Sequence, residues 1–249
     1  MKALVFAAGL GTRLRPLTDN KPKALVEVGG VPMLERVINK LIDSGITELA
    51  VNVHHFPDQI IDFLANRHFP INILVSDERH LLLDTGGGLL AAATMLGTDE
   101  PILIHNADIL TDFDIAEIKE EHARSGAAAS LLVSERQTSR YLLFDNDNRM
   151  CGWTNDKTGE ILPSSLITTN LTRKAFGGVH IAGPELLSDL ANYAKDKEPA
   201  FPIMPYYIDA CQRLKIKGFT PSTPYMWHDI GKPESLSAAE LALKSKQTN

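Results

Sequence analysis

The sequence predicts an α/β fold: a mixed, mainly parallel central sheet with helices on both faces. Three observations predict it. Apolar runs of strand length alternate with helical patterns through the first half, which is the signature of βαβ units. The apolar run at residues 3–8 feeds straight into a glycine-bearing loop. Asp108 follows the apolar run Ile102, Leu103, Ile104, which puts a carboxylate at the carboxyl end of a strand, where open α/β sheets bind ligands.

Taken in order, residues 3–8 form the first buried strand. Val31, Pro32 and Met33 open a helix, with proline near its first turn. Leu34, Val37, Ile38, Leu41 and Ile42 then make one apolar stripe, and Gly45 sits where a capping glycine would end it. Strands follow at 46–53, 71–75, 101–105 and 127–133, alternating with helices at 57–66, 87–96 and 115–124. The second half changes character. Residues 140–145 and 149–154 flank Asn146, Asp147 and Asn148, a hairpin with an Asx-rich turn. A glycine-containing strand spans 175–182, helices 184–195 and 202–213, a strand 214–219, and an alanine-rich helix 233–245. With 249 residues and no linker, low-complexity stretch or internal repeat, the chain reads as one domain in two halves, about 1–133 and 134–249.

Composition narrows the function. The net charge of −6 and the lack of a basic stripe argue against nucleic acid. No apolar run approaches the ~20 residues of a membrane span. The N-terminal apolar run mimics a signal peptide, but it is at the short end for one and is read as the first strand. Cys151 and Cys211 lack metal-ligand spacing and suit a reducing, cytoplasmic setting.

The loop from Ala7 to Leu25 stands out. Gly9 and Gly11 let the backbone turn tightly and approach a ligand closely. Between Gly11 and Lys23, Arg13, Arg15, Lys21 and Lys23 face only Asp19, a local balance of +3 on an acidic chain. That combination suits phosphates. Leu14 stands where a dinucleotide fingerprint wants its third glycine, and no P-loop occurs. The run Gly9-x-Gly11-Thr12-Arg13-Leu14, followed by Pro22-Lys23, resembles the signature of the sugar-1-phosphate nucleotidyltransferases (NDP-sugar pyrophosphorylases). The short single-domain members are similar to mannose-1-phosphate guanylyltransferase and N-acetylmuramate-1-phosphate uridylyltransferase. The resemblance implies a three-layer, Rossmann-like (GT-A-like) fold. No six-residue repeat follows, so the left-handed β-helix of some members is not expected.

The resemblance also implies chemistry. A sugar 1-phosphate would attack the α-phosphorus of a nucleoside triphosphate, and pyrophosphate would leave, with Mg²⁺ as cofactor. Arg13 would hold the β- and γ-phosphates, Lys23 would neutralise charge at the reacting phosphates, and Asp108 and Asp229 would hold the metal. Ala8, Gly9, Gly11, Thr12, Arg13, Thr85, Gly86 and Gly87 would line the nucleotide site. The first half would bind the nucleotide and the second the acceptor. There Gly178 resembles the family's glycine beside the sugar ring. The usual Glu-Lys-Pro is replaced by Trp153-Thr154-Asn155-Asp156-Lys157, leaving Asn155 and Lys157 as acceptor candidates. Trp153 could stack on a sugar or pack in the core. For Asp229 a helix-capping role competes. Asp112-Phe113-Asp114 reads either as capping residues or as the metal motif of a glycosyltransferase. His54, His55, His105 and His180 show no ligand spacing. Other readings are a phosphocholine cytidylyltransferase and a non-catalytic subunit of the same fold. The base and the sugar stay open.

Overall fold

The structure is a computed structural model describing residues 1–247. In chain order it comprises β1 (Lys2–Phe6), the hairpin β2 (Glu27–Val28) and β3 (Val31–Pro32), α1 (Met33–Asp43), β4 (Glu48–Val53), α2 (Pro57–Asn66), β5 (Asn72–Asp77), α3 (Asp84–Leu96), β6 (Ile102–Asn106), β7 (Ile109–Thr111), α4 (Ile115–Ser125) and β8 (Ala129–Ser134). The second half adds β9 (Arg140–Phe144), β10 (Met150–Asn155), β11 (Glu160–Leu162), β12 (Thr172–Ala182), α5 (Pro184–Tyr193), α6 (Ile203–Ala210), β13 (Ile216–Phe219), β14 (Trp227–Asp229) and α7 (Pro233–Gln247).

The main sheet has ten strands in the order β11-β10-β9-β12-β6-β1-β4-β5, with β8 pairing β12 and β13 pairing β8. β6, β1, β4 and β5 are mutually parallel, and only β10 and β12 run counter to the rest. Alternation along each strand feeds two cores. On β1, Leu4 packs with Leu89 and Ala92 of α3, and that layer continues to α5 and α6. Ala3 and Val5 face Leu34, Val37 and Ile38 of α1, with Ile60 of α2 and Ile118 of α4 in the same layer. The sheet is therefore the middle of three layers, and the basic loop leaves β1 at its carboxyl end.

Besides the short strands β7, β11 and β14, which the sequence reading does not contain, two helix starts differ from the expectation. Val31 and Pro32 pair with Val28 and Glu27 as a short hairpin, so α1 begins at Met33. α3 begins at Asp84, before its glycines, with Asp84 itself at φ 57°. A third, smaller core joins Leu14, Val26, Val28, Met33, Leu110, Ile230 and Ala239. It pins the basic loop to β7 and α7, and truncating the fully buried Leu14 to alanine would cost about 2–5 kcal/mol.

β12 links the two halves. Its last residues pair with β6 and its first with β9. Between them its register with β8 shifts around Gly178, at φ 74°. A Cβ at Gly178 would stand 2.9 Å from Ile109 Cγ1 and 3.1 Å from Asn106 Nδ2, so this bulge requires glycine and brings the strand against the end of β6. The 140–154 hairpin forms as expected, its turn closed by Asp145 Oδ1 accepting from the Asp147 and Arg149 amides at 2.9 Å each. Among the described residues, no helix is long and apolar enough to cross a membrane.

Candidate active site

At the carboxyl ends of β1 and β6 lies a cleft of about 230 Å³, lined among others by Ala7, Ala8, Gly9, Lys23, Asn52, Asp84, Thr85, Asn106 and Asp108. Its floor is the turn that leaves β1. Gly11 adopts φ 66°, and a Cβ there would meet Lys23 Cβ and Thr18 Cγ2 at 3.0 Å, so glycine is needed for the loop to fold back on itself. Thr18 secures the fold-back by donating to Gly11 O at 2.8 Å. Thr12 and Arg13 then stand on an exposed 3-10 turn whose third residue, Leu14, is its buried anchor.

Beneath this loop is a support that motif reading missed. Asn52, at 2% exposure, accepts from the Ala7 amide at 2.7 Å and the Ala8 amide at 3.3 Å. Its Nδ2 donates to Glu78 Oε1 at 2.9 Å, and Glu78 Oε2 accepts from the Leu83 amide at 2.9 Å. Burial raises the Glu78 pKa, and the Leu83 and Asn52 hydrogen bonds oppose it. One side-chain pair thus ties the β1 loop to the segment before α3, two walls of the same cleft. The only sequence signal was Asn52, a polar residue inside an apolar strand run.

Asp108 and Asp229 lie 121 positions apart in the chain, and the short ladder of β7 with β14 brings them together. Asp229 pairs with Ile109, and the Ile230 amide donates to Asp108 O at 2.8 Å. Lys23 forms an ion pair with Asp108. Arg13 reaches the same place: a Cβ at Gly231 would meet both Arg13 Nη2 and Asp229 Oδ1 at 2.8 Å. Asp229 Oδ1 is buried and accepts no hydrogen bond. Its pKa is raised by burial and by Asp108, while Lys23, Arg13 and Arg136 oppose the shift. A pair of close carboxylates with an orphaned oxygen and surrounding cations fits a hard divalent ion that takes its other ligands from phosphate and water. Among the described residues there is no cluster of three or more acidic, His or Cys ligands.

The other expected residues fall as follows. Thr85 faces the cleft, and its hydroxyl accepts from the Ile203 amide at 2.9 Å. The Gly86 and Gly87 amides both donate to Phe201 O, at 2.8 and 3.3 Å, so these glycines face the 199–201 segment and leave Asp84 and Thr85 toward the cleft. Asn155 spends Oδ1 on the Lys157 amide at 3.1 Å, and Lys157 is exposed in the turn between β10 and β11. Trp153 packs against the first core. Arg15 is exposed beside Asp19. Asp114 caps α4 through the Ala116 amide at 2.8 Å, while Asp112 accepts from the Met226 amide at 2.6 Å and pairs with Lys246. His54 and His105 lie within hydrogen-bond distance of the Glu78 and Asn106 carbonyls. The His55 ring lies tilted against Phe56, and His180 is buried.

A mainly parallel sheet with a basic, glycine-bearing loop and two close carboxylates at the carboxyl ends of its strands has the layout of a ligand-binding α/β enzyme, and similarity to known proteins specifies the class. Residues 2–149 match the nucleotidyl transferase family, to which the chain belongs. The chain is 31% identical to N-acetylmuramate alpha-1-phosphate uridylyltransferase of Caulobacter vibrioides, over 97% of this chain and 96% of that one. It is 26% identical to mannose-1-phosphate guanyltransferase of Schizosaccharomyces pombe, over 94% of this chain but only 62% of the relative's length. Its fold matches the crystal structure of HddC from Yersinia pseudotuberculosis complexed with GMP-PN, with TM-score 0.74 and 20% identity over 97% of this chain and 99% of that one.

Proposed function

We propose that this enzyme joins a nucleoside triphosphate to a sugar 1-phosphate, giving an NDP-sugar and pyrophosphate with Mg²⁺ as cofactor. The observation that carries it is the convergence of Asp108, Asp229, Lys23 and Arg13 at one end of the cleft. An oxygen of the sugar phosphate forms the new bond to the α-phosphorus. The bond from that phosphorus to the α,β-bridging oxygen breaks, and pyrophosphate carries away the electron pair. A phosphate monoester has a second pKa of about 6, so the nucleophile is largely dianionic without a general base. The protein's task is to bring anions together and neutralise the leaving group.

Arg13, exposed on its turn, offers a planar guanidinium to the β- and γ-phosphates. Lys23, half-buried at the cleft wall, supplies a point charge at the reacting phosphates. The Ala8 and Gly9 backbone, with Thr85, shapes the nucleotide wall. Asp108 and Asp229 would hold Mg²⁺, which supplies charge neutralisation to the phosphates. Asp112 and Asp114 are engaged in bracing β14 and capping α4, which disfavours a glycosyltransferase site built on them.

Two base readings remain. The Schizosaccharomyces relative supports guanylyl transfer to mannose 1-phosphate. The Caulobacter relative, matched along nearly its whole length, supports uridylyl transfer to another hexose 1-phosphate. A panel of the four nucleoside triphosphates plus dTTP against sugar 1-phosphates, read by pyrophosphate release, decides between them. No release from any pair defeats the proposal.

A further inference from the structure

The basic loop serves the triphosphate, yet an acceptor phosphate also needs a cation, and in-line attack brings it from the side away from the leaving group. The Glu-Lys-Pro lysine is missing, and Lys157 is exposed in a turn whose neighbour Asp156 pairs with Arg173. We propose, building on the function above, that Arg136 grips the phosphate of the sugar 1-phosphate.

Arg136 lies in the connection between β8 and β9. Its guanidinium stacks 4.2 Å from the centre of the Trp227 ring. Trp227 and Asp229 are alternate residues of β14, so their side chains share one face of the strand. Trp227 Nε1 donates to Gly177 O at 2.9 Å, and Arg136 Nη2 donates to Phe176 O at 2.6 Å. The stack is therefore fixed to the 176–178 stretch of β12, whose Gly178 abuts Asn106 at the end of β6. Arg13 stands by Gly231 on the side of the basic loop, and Arg136 approaches from the second half.

Its donors are mostly unspent. A guanidinium carries five N–H groups. The hydrogen bond to Phe176 O occupies one of them, Nε is buried, and among the described residues no carboxylate lies within ion-pair distance of the guanidinium, so the remaining Nη donors have no ion-pair partner. Burial opposes the charge, and Asp229 is the largest influence supporting it. A charged, stacked guanidinium held at one corner, with donors in reserve, is preorganised for a phosphate.

The test uses the full-length enzyme and its Arg136→Gln and Arg136→Lys variants. With the triphosphate saturating, KM for the sugar 1-phosphate and the inhibition constant of inorganic phosphate against it are measured. Arg136→Gln is expected to raise both by about 10- to 100-fold while leaving KM for the triphosphate unchanged, and Arg136→Lys to recover part of the loss. Unchanged acceptor KM and phosphate inhibition in both variants overturn the assignment. So does a fall in kcat alone with altered Mg²⁺ dependence, which is the pattern of a residue that only positions Asp229. Should Arg136→Gln fail to fold, the lysine variant decides by the same two constants. If wild type releases no pyrophosphate from any pair, the proposed function falls. Equilibrium dialysis of inorganic phosphate then judges Arg136 separately: loss of one site in Arg136→Gln supports it, and equal binding overturns it.

Discussion

Replacing Asn52 by aspartate isolates the support under the basic loop. The two side chains have the same shape, so the carboxylate can still accept from the Ala7 and Ala8 amides. The other oxygen, however, replaces a donor that lies 2.9 Å from Glu78 Oε1. Two buried carboxylates this close hold one proton between them. The sign follows from linkage. Unfolded Asp and Glu lose their protons near pH 4, whereas the folded pair keeps one well above that. The contribution is therefore full at low pH and is lost as pH rises toward the folded pKa. Each pH unit removes up to about 1.4 kcal/mol, so going from about pH 5.5 to about pH 7.5 removes up to about 2.7 kcal/mol. For a domain of this size that lowers Tm by about 5–10 °C. The raised Glu78 pKa already gives wild type some slope of this sign, so the measure is the difference between the two proteins. Thermal or denaturant unfolding across this range decides it. Stability curves that run parallel, or a variant whose deficit grows toward acid, would refute the pairing of Asn52 with Glu78.

Asp108→Asn and Asp229→Asn should each lower turnover by at least ~10²-fold and weaken its Mg²⁺ dependence, as steady-state kinetics with varied metal will show. Near-normal turnover in both would rule out the shared site. Gly178→Ala imposes a side chain at positive φ and within 2.9 Å of Ile109 Cγ1. It should cost about 2–4 kcal/mol in chemical denaturation and raise acceptor KM more than triphosphate KM. Equal effects on both would place the bulge away from the acceptor.

Much of this architecture was legible because its elements are long enough to show a period. α1 carries five apolar residues on one stripe, and the strands of the first half are apolar runs between glycine- and proline-rich breaks. The basic loop was legible for a different reason, its glycines and local charge. What escaped was short or shared between distant segments. β7 and β14 have three residues each, too few for alternation to register, yet they set Asp229 beside Asp108. Asn52 and Glu78 acquire meaning only as a pair across β4 and the segment after β5. Arg136 sits in a polar stretch that reads as surface until Trp227 is placed beneath it. Glycines argue against a helix, so the sequence places the start of α3 at Gly87, whereas the helix begins at Asp84 with the Gly86 and Gly87 amides bonded to Phe201 O.

The joining of Asp229 to Asp108 through β14 has a consequence for the protein as it is made. A growing chain holds Asp108 just after β6 is complete, but Asp229 arrives only with the strand before α7. A copy cut short of β14 lacks half of the acidic pair. On the proposed function, activity during refolding is expected to appear only once β14 has docked beside β7.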